Sequence, residues 1–147
     1  MTSSISPGQV RTGIEYFWRI MCGQSPGPLE DLYASNAVVL TGKARKPEPA
    51  HAVMERRARQ ISSPSAEAVA ELGAIDIEII DSGIAIASYT YKFHNKRPDQ
   101  SGGVIKRHTM FGRATQIFQQ EADGKLLIVH EHLSAASNPE VEKSAGS

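Results

Sequence analysis

KLLIVHEHLSA, residues 125–135, sets two histidines, a glutamate and a serine into a segment otherwise built like a buried strand. Side chains alternate between the two faces of a strand. On strict alternation Leu126, Ile128, His130, His132 and Ser134 share one face, and Leu127, Val129, Glu131 and Leu133 share the other. One set packs on the rest of the chain; spacing alone leaves open which. The second is apolar except for Glu131. If that set faces inward, Glu131 is a single acidic group in a dry wall.

The segments before this one carry the same strand signature. GIAIASYTYKFH (residues 83–94) is β-like, with aromatics at Tyr89, Tyr91 and Phe93. VIKRHTMFGRATQIFQQ (104–120) is a long strand with a bend or bulge expected at Gly112. Asp123-Gly124 makes a hairpin turn into the last strand. Upstream, AVAELGAIDIEII (68–80) shows alternating isoleucines before a turn at Asp81-Ser82-Gly83. NKRPDQSGG (95–103) reads as a long turn.

The first half is different. Val10, Ile14, Phe17, Trp18 and Met21 recur at helical spacing between Gln9 and Cys22, with Pro7 before and Gly23 after. LEDLYA (29–34) suits one helical turn, AVVLTG (37–42) a short strand and KARKPEPA (43–50) a loop. A second helix is expected from His51 to Ile61, carrying Val53, Met54, Arg57, Ala58 and Ile61 in its pattern. Helices first and antiparallel strands after give an α+β domain, a curved sheet with helices on one face and a cone-like hollow between. Its expected extent is residues 9–136, between flexible ends at 1–8 and 137–147.

A chain of 147 residues with 16 basic and 16 acidic side chains has no net charge. That argues against nucleic acid as a partner, because such binders need a basic field. Cys22 is the single cysteine, so an intrachain disulfide and a cysteine-rich zinc site are both excluded. The start lacks the build of a signal peptide, and no apolar run approaches a membrane span of ~20 residues. The expectation is a soluble, cytoplasmic protein.

The order of the last pieces resembles the nuclear transport factor 2-like superfamily. It is closest to the SnoaL-like branch that includes the association domain of calcium/calmodulin-dependent protein kinase II. The carrying residues are SYTYKF, RATQIFQQ, the DGK turn and the ending Ile128-Val129-His130-Glu131-His132-Leu133-Ser134. The resemblance implies a cone-shaped fold, assembly as a homodimer or higher homo-oligomer, and a small-molecule pocket. Pocket arginines of the kinase domain are matched here by Gln116 and Leu133, so a less cationic, more apolar pocket is implied.

On that alignment Glu131 and Leu133 face inward, together with Tyr89, Tyr91, Gln116 and Phe118. Burial without a partner would push the Glu131 carboxyl above its usual range and suit it to proton transfer. Tyr89 and Tyr91 would then steady charge on oxygen, and His108 would serve as a further proton carrier. Gln116, Phe118, Trp18 and Leu133 would bind the substrate. The rival orientation turns His130, His132 and Ser134 inward, resembling the histidine- and serine-rich ending of iota-class carbonic anhydrases. Two histidines could also touch a metal, but spacing supplies no third ligand.

Plainer readings stand beside these. Glu131 could pair with Arg113 or Lys106 at an interface. The tyrosines and Trp18 could be packing, the outer histidines part of a dimer sheet, and Arg56-Arg57-Arg59 a solvated helix face. The functional expectation is an enzyme using neither cofactor nor metal. It would be of isomerase, dehydratase or lyase type, acting on an uncharged carbonyl or hydroxyl compound. The alternative is a non-catalytic oligomerisation or ligand-binding module.

Overall fold

The computed structural model describes residues 4–25, 27–42, 44–61, 67–98 and 105–135. Helix α1 (Pro7–Met21) opens on a capping box. Ser6 Oγ accepts from the Gln9 amide at 3.2 Å, and Gln9 Oε1 accepts from the Ser6 amide at 2.8 Å. Pro7 needs no partner at the first helical position. The helix stops where Gly23 takes a φ of 72°, a value costly for any side chain. Its buried stripe is Val10, Ile14, Phe17, Trp18 and Ile20. Ile5, expected in a loose terminus, is buried and ties its amide to the Ser82 carbonyl at 2.9 Å. Ser6 to Gly8, also placed in that terminus, form the cap and first turn of α1, and residues 1–3 and 136–147 lie outside the described residues.

A short 3-10 turn (Leu29–Leu32) leads into β1 (Tyr33–Thr41). Then come β2 (Glu48–Pro49), α2 (Ala50–Ile61), β3 (Glu67–Leu72), β4 (Asp76–Asp81), β5 (Ile84–Pro98), β6 (Ile105–Gln120) and β7 (Leu126–Ala135). The two helices pack on one seven-stranded sheet in the order β2-β1-β7-β6-β5-β3, with β4 on β5 beyond the end of β3. Every strand pair is antiparallel except β1 with β7, which is parallel. A hairpin cannot join parallel neighbours, so the chain between them supplies the crossover. The α+β reading holds, with this one parallel pair added.

Three boundaries differ from expectation. β1 begins at Tyr33 rather than Ala37, which draws Tyr33 out of the expected helical turn and into the sheet. Glu48–Pro49, read as loop, forms a two-residue edge strand, where a proline's missing amide costs nothing. β5 runs through Pro98, into the segment read as a turn.

Pairing of β5 with β6 is continuous from Ile84↔Gln119 to Pro98↔Ile105. The bulge expected at Gly112 is therefore absent, and His108 keeps the parity of Gln116. The bulge lies elsewhere. Ile117 pairs with His130 and Phe118 with Ile128, leaving Val129 without an opposite residue on β6. One extra residue shifts parity. Ile128 therefore joins Glu131 and Leu133 on the concave face, which corrects strict alternation along residues 126–134.

The concave face of the central strands is lined by Ala85, Ala87, Tyr89 and Tyr91 of β5, Ala114, Gln116 and Phe118 of β6, and Ile128, Glu131 and Leu133 of β7, all buried. Alanines at 85, 87 and 114 leave depth for the Phe17 and Trp18 rings of α1, which share one core with them. Gly112 has a sharper role. It sits opposite Tyr91, and a Cβ built on it would lie 2.0 Å from Tyr91 Cζ. The ring therefore rests on bare backbone. Gly112→Ala should cost about 1–3 kcal/mol by overpacking. Adding Tyr91→Leu, which removes the obstructing ring atoms, should return part of that loss in urea unfolding.

Candidate functional site

Glu131 and Gln116 face each other across β6 and β7, and neither side chain reaches solvent. Gln116 Nε2 donates to Glu131 Oε1 at 2.7 Å, and the Tyr89 hydroxyl donates to Gln116 Oε1 at 2.7 Å. Tyr89 in turn accepts from the Trp18 indole Nε1 at 3.0 Å. Sheet and α1 are thus joined by one chain of hydrogen bonds, Trp18 to Tyr89 to Gln116 to Glu131. It uses the Gln116 amide in both senses, as acceptor and as donor.

The other side of the carboxylate is held by α2 and β1. Arg57 Nη1 lies 2.8 Å from Glu131 Oε2, with Arg57 only 8% exposed. The Tyr33 hydroxyl donates to Glu131 Oε1 at 2.7 Å and accepts from Arg57 Nη1 at 3.2 Å. Arg57 follows Ala50, Val53 and Met54 along the buried stripe of α2, at spacings of three and four. Its Nη1 also lies 3.9 Å from Met54 Sδ.

This arrangement corrects two readings. Arg57 is not on a solvated face; its helical position carries it inward and only Arg56 of that pair is exposed, bound to Glu48 at 2.7 Å. Glu131 is not a lone carboxyl in a greasy wall, since a guanidinium and two neutral donors satisfy it. Its partner is also not the expected Arg113. Arg113 is exposed and pairs with Ser134 on the outward parity, and the Lys106 side chain lies outside the described residues. The helical spacing 50, 53, 54, 57 carried the missing signal for Arg57. Tyr33 had none, because its place in the sheet arises from pairing with Ile128.

The electrostatics follow from burial. Burial works against the Arg57 charge, but the Glu131 carboxylate and Tyr33 beside it outweigh that and raise its pKa. Tyr33 is pushed well above the ordinary phenol range by burial and then by the negative charge of Glu131. Tyr89 rises through burial, opposed by the Trp18 hydrogen bond. Tyr91 also rises through burial, with Arg57 lowering it and Glu131 raising it. All three phenols are thus neutral donors near pH 7.

The remaining expected residues separate by face. Trp18, Phe118 and Leu133 are buried with the network, and Trp18 packs on Tyr91 with ring centroids 4.5 Å apart. His130 and Ser134 are half-buried and His132 is exposed, on the opposite parity, so the orientation that turned them inward is not the one adopted. His108 lies opposite Asn95, and its side chain is outside the described residues. Among the described residues no three histidine, cysteine, aspartate or glutamate side chains gather as a metal site. Among them, too, no helix is long and apolar enough to cross a membrane.

No protein-family model matches the sequence, and no curated protein is significantly similar to it. Solved structures are similar over nearly the whole chain. One is a candidate dehydratase of the NTF2-like family from Streptomyces avermitilis, with TM-score 0.72, 16% identity, and 89% of this chain and 97% of that one covered. The fold is that of the nuclear transport factor 2-like proteins. The NTF2-like fold is shared with a candidate calcium/calmodulin-dependent protein kinase II association domain from Xanthomonas campestris. There the TM-score is 0.70 at 18% identity, covering 94% of this chain and 96% of that one. It also matches the beta subunit of benzoate 1,2-dioxygenase from Burkholderia mallei, with TM-score 0.70, 12% identity and 90% and 92% coverage. Names this different on one architecture mean that the NTF2-like fold does not choose the activity.

Two expectations follow from the network. Arg57→Met strands a buried carboxylate and should cost about 3–5 kcal/mol in urea unfolding, most of which the double variant Arg57→Met, Glu131→Leu should recover. Above pH ~10 an unfolded phenol loses its proton, while Tyr33, Tyr89 and Tyr91, raised in the fold, keep theirs. Their contribution to stability is therefore complete below that pH and falls as pH rises. Absorbance at alkaline pH should show their phenolates appearing together with unfolding.

Proposed function

We propose that the concave face is a small-molecule active site performing acid–base chemistry without a cofactor, of isomerase, dehydratase or lyase type. The substrate would be an uncharged, partly apolar carbonyl or hydroxyl compound. The observation that carries this is a fully buried carboxylate, paired with a largely buried guanidinium and set beside a hydrogen-bonded phenol. Apolar side chains of similar volume would give a core at least as stable, so stability alone is a poor reason for the pair.

In this reading Glu131 is the base and Tyr33 its route to the substrate. Glu131 is wholly enclosed, whereas Arg57 and Tyr33 retain slight exposure. As a substrate proton moves onto the Tyr33 oxygen, the Tyr33 proton moves onto Glu131 Oε1. The carboxylate becomes neutral, the phenol is regenerated, and the new negative charge on the substrate oxygen faces Arg57, freed of its counter-ion. Reversing the transfer at another atom completes an isomerisation; a departing hydroxide or carbanion that takes the proton back from Glu131 through Tyr33 completes a dehydration or cleavage and restores the carboxylate. General acid–base groups of this kind contribute typically ~10²–10⁴-fold.

Glu131→Gln and Tyr33→Phe, screened with a panel of hydroxyketones and enolisable ketones that the wild-type protein turns over, should each lose on the order of 100-fold in turnover. Wild-type rates in a folded Tyr33→Phe protein would remove the relay, and the same result in Glu131→Gln would remove the base.

The outward face favours a second reading, a homodimeric or larger module. Ile84 is 36% exposed there, beside half-buried Ile86, Ile117 and His130. Light scattering at the mass of one chain would count against it.

A further inference from the structure

Tyr91 stands apart from the network it adjoins. Trp18, Tyr89, Gln116, Glu131, Tyr33 and Arg57 are all joined by hydrogen bonds. The Tyr91 hydroxyl makes none among the described residues, although the side chain is 95% buried by its 5% exposure. Buried hydroxyls are rarely left so, because the lost hydration is not replaced. The ring is also held. Trp18 lies against it at 4.5 Å between centroids, and the bare Gly112 backbone passes where a Cβ would overlap Cζ. The hydroxyl's direction is therefore set before anything binds, and it lies within the fields of both Arg57 and Glu131.

Charge decides what can be received. Arg57 and Glu131 cancel, so the site is neutral as it stands. A carboxylate brought to Tyr91 would add an uncompensated charge among side chains that scarcely touch water, whereas a carbonyl or hydroxyl oxygen would add none. Resting on the reading of this face as a small-molecule site, we propose that Tyr91 is the group that grips a ligand's uncharged oxygen. Gly112 is then the positioning residue that sets where the hydroxyl points. Tyr89, whose hydroxyl is engaged on both sides, holds the network and not the ligand.

Trp18 is the single tryptophan, so its indole N–H gives one ¹⁵N cross-peak beside Tyr91. Titration of the full chain with cyclohexanone should shift that peak, and cyclohexanecarboxylate should bind more weakly. Tyr91→Phe should weaken cyclohexanone binding roughly fivefold, the worth of one hydrogen bond, with an unchanged melting temperature. Tyr89→Phe should lower the melting temperature. Three results would each overturn the assignment: no shift with cyclohexanone, equal binding of ketone and carboxylate, or undiminished ketone binding in Tyr91→Phe. The titration reads binding without turnover, so it and the Glu131 and Tyr33 assays fail independently.

Discussion

A carboxylate inside a protein has to be answered by donors, and the interior of this fold is arranged around that requirement. Glu131 lies on β7, Arg57 on α2, Tyr33 on β1 and Gln116 on β6, so one group ties together a helix and three strands. Removing any partner leaves a buried polar atom unsatisfied, whereas the intact set is nearly neutral in cost. Such a network specifies one arrangement more strongly than it stabilises it. The parallel β1–β7 pair belongs to the same arrangement, because it brings Tyr33 within 2.7 Å of the carboxylate.

The bulge at Val129 has an effect out of proportion to its size. Without it Ile128 and Glu131 could not both face the helices, since three positions separate them on an alternating strand. With it, Ile128 closes the core below Glu131 while His130 and His132 turn outward. The same displacement divides the polar residues of the ending by function. The histidines and Ser134 become part of an outer sheet surface, and the glutamate alone is enclosed.

The proposed grip on a ligand oxygen rests on a contrast within this site. Tyr89 and Tyr91 are two residues apart on one strand and share a face, yet only Tyr89 is spoken for. Trp18 makes that difference, donating to one hydroxyl and packing tilted against the other ring. Gly112 completes it by offering no side chain. A protein that spends its buried donors this unevenly has one hydroxyl left for something else, and the neighbouring ion pair sets the charge that partner can carry.

Much of this protein is determined locally and could be read directly. Apolar spacing marks α1 and α2, Pro7 and Gly23 mark the ends of α1, and alternation marks β5 to β7, because helix and strand periods are properties of neighbouring residues. The residues gathered on the concave face, Trp18, Tyr89, Tyr91, Gln116, Phe118, Glu131 and Leu133, were legible from parity together with the family resemblance. The partner of Glu131 was not. Helical spacing sets Arg57 in the stripe of Val53 and Met54, apart from Arg56, but does not say what it meets there; only the packing of that helix against β1 places its guanidinium on Glu131. The register slip at Val129 and the parallel seating of Tyr33 were likewise invisible. Both are contacts between segments distant in the chain, and their energy exists only once the sheet has closed on the helices.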